Sequence, residues 1–265
     1  MTLFDDPAAA PAAAAPARVR ATVAYDGTGF AGFAAQKDGP STVSGTLAEA
    51  IERVLGQPVE LTCAGRTDAG VHAMGQVVSF DTVDGGLDTV ALERAVNKML
   101  RPAIAIRDVR VVDDDFDARF SAKSRRYRYT ILNQRSPSPF LAGTSWWIDR
   151  PLDLATMRLA CDPLIGEHDF SSFCRRAAPE ATLVRRVIDA RWEAVDDEEG
   201  CRLQFWIEAN AFCHQMVRSI VGTMVDVGLG RLRAGDVSGV LRALDRSKAG
   251  NLAPPLGLCL WEVRY

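Results

Sequence analysis

The chain lacks the features that mark membrane and secreted proteins. No stretch of its 265 residues reaches the roughly 18 to 20 apolar residues that a membrane-spanning helix needs, so we predict no membrane partner. Residues 1–18 are rich in alanine and proline but lack the basic start and apolar centre of a signal peptide, which predicts a disordered tail. The six cysteines form no CxxC pair, so the sequence predicts neither a metal site nor a disulfide framework and favours a cytoplasmic protein.

An excess of positive charge, common in RNA-binding proteins, is also missing. Lysine and arginine number 31 against 34 aspartates and glutamates, a formal net charge of −3. The charges are unevenly spread, with basic clusters at residues 123–128, 175–176 and 185–186. Each cluster alone fits a solvated surface. Because local patches decide whether a polyanion docks, the clusters together favour an RNA partner.

The hydrophobic pattern predicts the order β-α-β-β-α-β once in each half of the chain. In the first half the expected strands are 19–25, 59–63, 76–80 and 104–112, with one helix capped by Ser44 and another that ends before Pro102. In the second half the expected strands are 127–132, 184–194, 202–209 and 258–263, with helices at 153–164, 212–227 and 237–244. We therefore predict an α+β protein of two ferredoxin-like units, residues 19–115 and 116–265. The units are expected side by side in a largely antiparallel sheet with helices on one face and a central RNA-binding cleft.

Residues 63–74 form the segment with the clearest chemical content. Arg66, Asp68 and His72 stand in a loop that is bounded by Gly65 and Gly70 and flanked by two predicted strands. Such a loop lets the backbone approach a ligand, and the carboxylate of Asp68 fits a nucleophile, a general base or, least well, a metal ligand. The alternatives are that Asp68 only accepts hydrogen bonds within the turn and that His72 is structural.

The predicted strand near residues 123–129 carries a second candidate site. Alternation places Tyr127 and Tyr129 on one side of the strand and Arg126 and Arg128 on the other. A row of tyrosines beside a row of arginines can stack a base and hold its phosphate. The alternative is that a tyrosine of this row lies in the core.

The predicted helix 212–227 carries a third candidate site. His214 and Arg218 are four residues apart, which places them on one helix face. An arginine among apolar residues needs an anion, and Asp68 would supply it. The alternative is a surface arginine at the helix edge.

Together these segments resemble the TruA family of tRNA pseudouridine synthases, over nearly all of residues 19–265. The resemblance rests on motifs at residues 25–30 (YDGTGF), 64–73 (AGRTDAGVHA), 116–121 (FDARFS), 126–129 (RYRY), 212–218 (FCHQMVR), 221–222 (VG) and 253–260 (APPLGLCL). One departure is that family members often have Gly-Trp-Gln after the first loop, where this chain has Gly32, Phe33 and Ala34.

The resemblance implies a pseudouridine synthase fold and isomerisation of uridine at positions 38, 39 and 40 of the tRNA anticodon stem-loop. It also implies a homodimer that binds tRNA across both subunits and needs no cofactor. Asp68 matches the catalytic aspartate and Arg218 its basic partner. Arg66 matches the arginine that enters the stem as the target base leaves it. Tyr127 matches a tyrosine that stacks on the uracil and is a candidate for proton transfer, and Leu258 matches an apolar residue that lines the pocket.

Two other functions remain as alternatives. A non-catalytic tRNA-binding or RNA-folding protein on the same scaffold would need no carboxylate near a phosphate backbone, so Asp68 argues against it. Hydrolysis of a nucleoside bond fits one carboxylate but needs a second to activate water, and the motif supplies none.

Overall fold

The computed structural model describes residues 15–35, 39–83, 86–176 and 182–265. The N-terminal tail is expected at residues 1–18, and residues 1–14 of it lie outside the described residues. Its last two residues are not a tail, because the first strand begins at Ala17 and the Arg18 side chain pairs with Asp81. None of the described helices is both long and apolar enough to cross a bilayer.

Ten strands and five α-helices are found in the described residues. The strands are β1 (Ala17–Tyr25), β2 (Thr62–Cys63), β3 (His72–Thr82), β4 (Ile104–Val112), β5 (Ser124–Asn133), β6 (Trp146–Ile148), β7 (Gly166–Asp169), β8 (Val184–Asp197), β9 (Gly200–Ala209) and β10 (Leu258–Arg264). The helices are α1 (Val43–Leu55), α2 (Thr89–Leu100), α3 (Leu154–Leu159), α4 (Met216–Gly228) and α5 (Asp236–Ala243).

The strands form one sheet in the order β4-β1-β3-β10-β5-β9-β8-β7, with β2 beside β3 and β6 beside β5. Neighbours run antiparallel except for β10 with β3 and β6 with β5. The first half contributes β4-β1-β3-β2 and the second contributes β10-β5-β9-β8, so the same strand order occurs twice. This is the order of a ferredoxin-like unit, and the predicted α+β class with two such units is confirmed.

The two units meet along β3, which pairs with two strands on one edge. β2 pairs with Val78 and Ser79, whereas β10 pairs with His72 and Ala73 at the start of the strand. The loop from β2 to β3 therefore ends where the two halves of the chain join. The division at residue 115 stays a prediction, because both halves share this sheet.

Tyr127 and Tyr129 lie on the side of β5 that we call the cleft face. Both are buried, and the Tyr129 hydroxyl donates to the carbonyl of Pro254 at 2.9 Å. The neighbouring carbonyl of Ala253 accepts a 2.8 Å hydrogen bond from Arg218 of α4. Helix α4 therefore covers this face, and Tyr129 takes the core position that was the alternative for one tyrosine.

The opposite side of β5, which we call the tryptophan face, carries the alternating arginines. The Arg126 guanidinium lies 4.7 Å from the ring centre of Trp206, and that of Arg128 lies 4.1 Å from Trp261. These arginines are separated from the ring of Tyr127 by the sheet itself. The prediction that they hold the phosphate of a base stacked on this tyrosine row is therefore wrong.

Several predicted boundaries also differ, and the largest difference among the strands is at β3, which spans residues 72–82 where 76–80 was expected. The side chain that caps α1 is Thr42, which accepts from the Gly45 amide at 3.3 Å, rather than Ser44. The expected strand 59–63 is reduced to the two residues of β2. The expected helix 153–164 is α3 followed by a separate 3-10 turn, because Pro163 has no amide hydrogen to continue the helix.

Candidate active site

The loop between β2 and β3 is held from the first strand and from the segment after it. The hydroxyl of Tyr25 lies 2.7 Å from that of Thr67, and the Phe33 amide donates to the Thr67 carbonyl at 3.1 Å. Within the loop, the Val71 amide donates to the carbonyl of Asp68 at 3.1 Å. Asp68 therefore lies in a turn that hydrogen bonds hold at Thr67 on one side and at Val71 on the other.

Two glycines allow other segments to touch this loop. A Cβ on Gly27 would lie 2.1 Å from the carbonyl oxygen of Val71, so only glycine fits there. Gly70 has a φ of 76°, and a Cβ on it would lie 3.1 Å from the ring of Pro255. The loop is thus packed between residues of the first and the second half of the chain.

An arginine and a histidine side chain contact the carboxylate of Asp68, one at each oxygen. Nη1 of Arg218 donates to Oδ2 at 2.9 Å, and Nε2 of His214 lies 3.4 Å from Oδ1. Nε of Arg218 also donates to the Ala253 carbonyl, which fixes the guanidinium in place. The Asp68 side chain is 25% exposed and that of Arg218 is 12% exposed. The carboxylate is therefore oriented by a largely buried arginine, while His214 is 39% exposed and leaves the site open to a ligand. The alternative of a surface arginine does not hold.

His214 reaches this position without belonging to the helix. Helix α4 begins at Met216, because Gln215 has a φ of 65°, a left-handed conformation that an α-helix does not contain. The expected shared helix face of His214 and Arg218 is therefore wrong. Both side chains nevertheless converge on Asp68, one from the helix and one from the segment before it.

Tyr127 forms the buried floor beside this carboxylate. Its ring packs edge-on against Phe212 at a centroid distance of 4.9 Å. Burial raises the pKa of the phenol well above its usual range, and the negative charge of Asp68 raises it further. The phenol is therefore neutral and protonated. No hydrogen bond to its hydroxyl is found within the described residues, so the proton is available to a ligand.

Leu258 and Arg66 lie at two further positions around the carboxylate. Leu258 begins β10, is buried, and pairs in register with Tyr129, which places it on the cleft face. Arg66 is exposed, and among the described residues no ion pair joins it to Asp68. The apolar side chain can line a pocket, whereas the arginine is free to extend from the loop.

The chain matches a family model described as tRNA pseudouridine synthase over residues 21–121 and 160–265. The chain belongs to this family. A curated relative from Bartonella tribocorum, named tRNA pseudouridine synthase A, is 41% identical over 255 residues, which cover 94% of this chain and 99% of the relative. One of the same name from Myxococcus xanthus is 42% identical over 248 residues, covering 94% and 92%. A chain of a solved Cbf5-Nop10-Gar1 complex is 15% identical over 79% of this chain and 44% of its own, and its TM-score of 0.31 is too low to inform the fold.

His72, within the family motif, has a structural position. Its Nδ1 accepts the Gly27 amide at 3.1 Å, and its Nε2 lies 2.9 Å from the Gly143 carbonyl and 3.1 Å from that of Leu256. The two carbonyls require a hydrogen on Nε2. The ring therefore joins three backbone segments, which matches the structural alternative for His72 and leaves no free nitrogen for a base.

Phe33 accounts for the one departure from the family pattern. The side chain is 2% exposed, and its ring centre lies 6.0 Å from that of Tyr25, next to the loop between β2 and β3. Phe33 thus supplies a buried aromatic ring where the resemblance leads us to expect tryptophan. Its amide also supports the loop at Thr67, so the substitution preserves the packing of this region.

Arg125 is a residue near the site that the sequence analysis missed. It is 9% exposed, and its guanidinium donates to the carbonyls of Ala64, Arg119, Ala122 and Asn210. These carbonyls belong to the loop between β2 and β3, to the turn before β5 and to the segment that leads to His214. The only sequence signal was its place on the tyrosine side of the alternating strand.

Proposed function

We propose that this protein isomerises uridine to pseudouridine at positions 38, 39 and 40 of the tRNA anticodon stem-loop, with Asp68 as the nucleophile. The observation that carries the proposal is the Asp68 carboxylate, held by Arg218 and His214 above the buried ring of Tyr127. Membership of the tRNA pseudouridine synthase family supports the reaction class.

The reaction breaks the bond from N1 of uracil to C1′ of the ribose and forms a bond from C5 to C1′. The proton on C5 is lost and N1 gains one, so nothing is oxidised and no group leaves. A carboxylate can attack during this exchange, or stabilise positive charge at the sugar, as glycosidases do. Arg218 fixes the direction of the carboxylate and offsets its repulsion from the phosphates of the incoming RNA.

The other residues of the site bind and turn the base. The uridine must leave the helical stack, at a cost of about a few kcal/mol, before its sugar can reach Asp68. Arg66, exposed on the loop, fills the space that the uracil leaves. Tyr127 and Leu258 contact the faces of the extruded uracil, and the protonated phenol of Tyr127 is placed for proton exchange with the base.

The test uses tRNA labelled with tritium at C5 of uridine. The wild-type protein releases tritium into water without free uracil, and Asp68→Asn loses release while it retains tRNA binding. Asp149→Asn, an exposed aspartate outside the site, is the matched control and keeps full release. Sequencing of the product for pseudouridine at positions 38, 39 and 40 tests the site of modification.

Each alternative function has its own outcome in this assay. Free uracil in the products would identify a nucleoside hydrolase. Binding of tRNA with no tritium release by the wild type would identify a non-catalytic binding protein. Full release by Asp68→Asn would remove the proposed role of Asp68.

The homodimer is proposed from the family resemblance, with tRNA contacting both subunits. Sedimentation velocity at micromolar concentration should give a mass of about twice 28.8 kDa. The six free cysteines support action in the reducing cytoplasm.

A further inference from the structure

Phe120 is an aromatic side chain with no assigned role and 81% of its surface exposed. It stands in residues 116–121, a motif that carries the family resemblance but supplies none of the site residues named above. Exposure alone is no sign of a role, since single apolar side chains are common on protein surfaces, so the surroundings of the ring decide the case.

The turn that carries Phe120 is rigid. Oδ1 of Asp117 accepts the amides of Arg119 and Phe120 at 2.7 and 2.8 Å, and the hydroxyl of Ser121 accepts the Asp117 amide at 3.0 Å. The carbonyl of Asp117 accepts the Ser121 amide at 3.0 Å. An exposed ring on such a turn can bind a ligand with little further loss of backbone entropy.

The same turn is tied to the catalytic loop through Arg125. Nη2 of this buried guanidinium donates to the Arg119 carbonyl at 2.6 Å and to the Ala64 carbonyl at 2.8 Å. Ala64 stands two residues before Arg66. The turn that carries Phe120 therefore lies beside the start of the loop that carries Arg66 and Asp68.

The surface around the ring is positively charged on the side of the cleft. The Arg119 guanidinium lies 5.3 Å from the ring centre of Phe120, and Arg119 and Lys123 are both exposed. Burial raises the pKa of the Cys63 thiol, while the charges of Arg66 and Arg119 lower it, which places both cations near that residue.

Two acidic residues of this region, Asp114 and Asp117, contact or face groups other than Arg119. The carboxylate of Asp117 is occupied by the two amides of its own turn. The hydrogen bond with Asp81 raises the pKa of Arg18, and the charges of Asp117 and Asp114 add to this effect, so both lie near that guanidinium. The Arg18 guanidinium also donates to the Phe116 carbonyl. An anion can therefore approach Arg119 from the cleft side.

We propose that Phe120 and Arg119 form a second nucleotide subsite, in which the ring stacks on an unpaired base of the tRNA and the guanidinium binds a phosphate. The base is a neighbour of the target uridine that loses its stacking partner when the uridine leaves the stem. This subsite rests on the proposed function, because it requires an extruded uridine at Asp68. Stacking on aromatic rings tolerates any base, so the subsite stabilises the opened stem without reading its sequence.

The first test compares Phe120→Leu with Phe120→Tyr in the tritium-release assay. Loss of the ring raises KM for tRNA about 5- to 100-fold with kcat nearly unchanged, whereas tyrosine keeps KM within about twofold of wild type. Phe140→Leu is the matched control, because Phe140 is 96% exposed on a different loop, and it leaves KM unchanged. Because Phe120 is exposed, all three variants keep the melting temperature of the wild type.

The second test separates the phosphate contact from the stack. The logarithm of the tRNA association constant falls as the logarithm of the salt concentration rises. Arg119→Ala makes this fall shallower by about 0.7 to 0.9, while Phe120→Leu leaves the slope unchanged. In addition, p-benzoylphenylalanine at position 120 gives a photocrosslink to tRNA at a base adjacent to the isomerised uridine.

The outcomes distinguish the subsite from the function on which it rests. Normal KM in Phe120→Leu with an active wild type would overturn the subsite and leave the isomerase intact. A crosslink from position 120 to a second copy of the chain, in place of tRNA, would also overturn it. Absence of tritium release by the wild type would instead overturn the proposed function.

Discussion

Arginines contact both faces of β5, but the two faces differ in how these charges are placed. On the tryptophan face, Arg126 and Arg128 stack on indole rings, and Arg191 on β8 pairs with two neighbouring carboxylates. On the cleft face, Arg218 and the imidazole of His214 meet at a single carboxylate. The tryptophan face has more arginines, yet each of these three already contacts an indole ring or a carboxylate. The number of charges therefore says less about function than where they converge.

The energetics of the two faces differ for the same reason. An ion pair at the surface contributes about 0 to 1 kcal/mol to folding stability, and each arginine stacked on an aromatic ring contributes a similar amount. Removing an arginine from beside a partly buried carboxylate leaves that carboxylate without its partner. The loss of folding stability is then about 3 kcal/mol or more. Changes on the cleft face should therefore affect turnover far more than equal changes on the tryptophan face.

The largest effect among the supporting residues is expected for Arg218→Ala. Without the guanidinium, Asp68 loses the bond that orients it, and kcat should fall by roughly 100- to 1,000-fold. Single-turnover tritium release at saturating tRNA measures this. Arg128→Ala removes an arginine from the other face and is the matched control. A fall of less than about tenfold in Arg218→Ala would contradict the orienting role.

The next largest effect is expected for Tyr127→Phe. Since no described residue bonds to the phenol hydroxyl, its removal should leave the melting temperature unchanged, whereas loss of proton exchange should lower kcat about 100-fold. Because burial raises the pKa of the phenol, wild type and variant should show pH–rate profiles of the same shape between about pH 6 and 9. Normal kcat in the variant would leave Tyr127 with a stacking role only.

A smaller effect is expected for His214→Ala. The imidazole contacts the second oxygen of Asp68 at 3.4 Å, a longer contact than that of Arg218, so we expect kcat to fall about tenfold with KM unchanged. His214→Gln, whose amide can donate to the same oxygen, should recover most of the loss. Equal loss in both variants would show that the ring supports packing and not the carboxylate.

The smallest effect is expected for the double variant Arg126→Ala/Arg128→Ala. The two stacked pairs contribute about 1 to 2 kcal/mol of stability together, which should lower the melting temperature by a few degrees. The value of kcat at saturating tRNA should stay within about threefold of wild type. A larger fall in kcat would remove the distinction between the two faces.

Much of the fold could be predicted from periodicity. The strand expected at residues 104–112 coincides with β4, and the acidic turn between two predicted strands is the β8–β9 connection. These elements follow local patterns of apolar and polar residues. The parallel pairing of β10 with β3 could not be predicted this way, because it joins residues far apart in sequence and has no local pattern.

In the candidate site, too, local sequence patterns predicted some contacts and not others. The contact of Arg218 with Asp68 was predictable, because an arginine on an apolar helix needs an anion. The position of His214 was not, since nothing in the sequence shows that Gln215 takes a left-handed conformation. The role of Arg125 also escaped prediction, because its partners are backbone carbonyls from distant segments.

The central claim is that chemistry resides in Asp68 on the cleft face and not in the arginines of the tryptophan face. Single-turnover tritium release from C5-labelled tRNA, at saturating protein, tests it in one experiment with Asp68→Asn beside Arg126→Ala/Arg128→Ala. We predict that Asp68→Asn loses release by more than about 1,000-fold while it still binds tRNA, and that the double variant releases tritium at nearly the wild-type rate. Comparable rates in the two variants would contradict it.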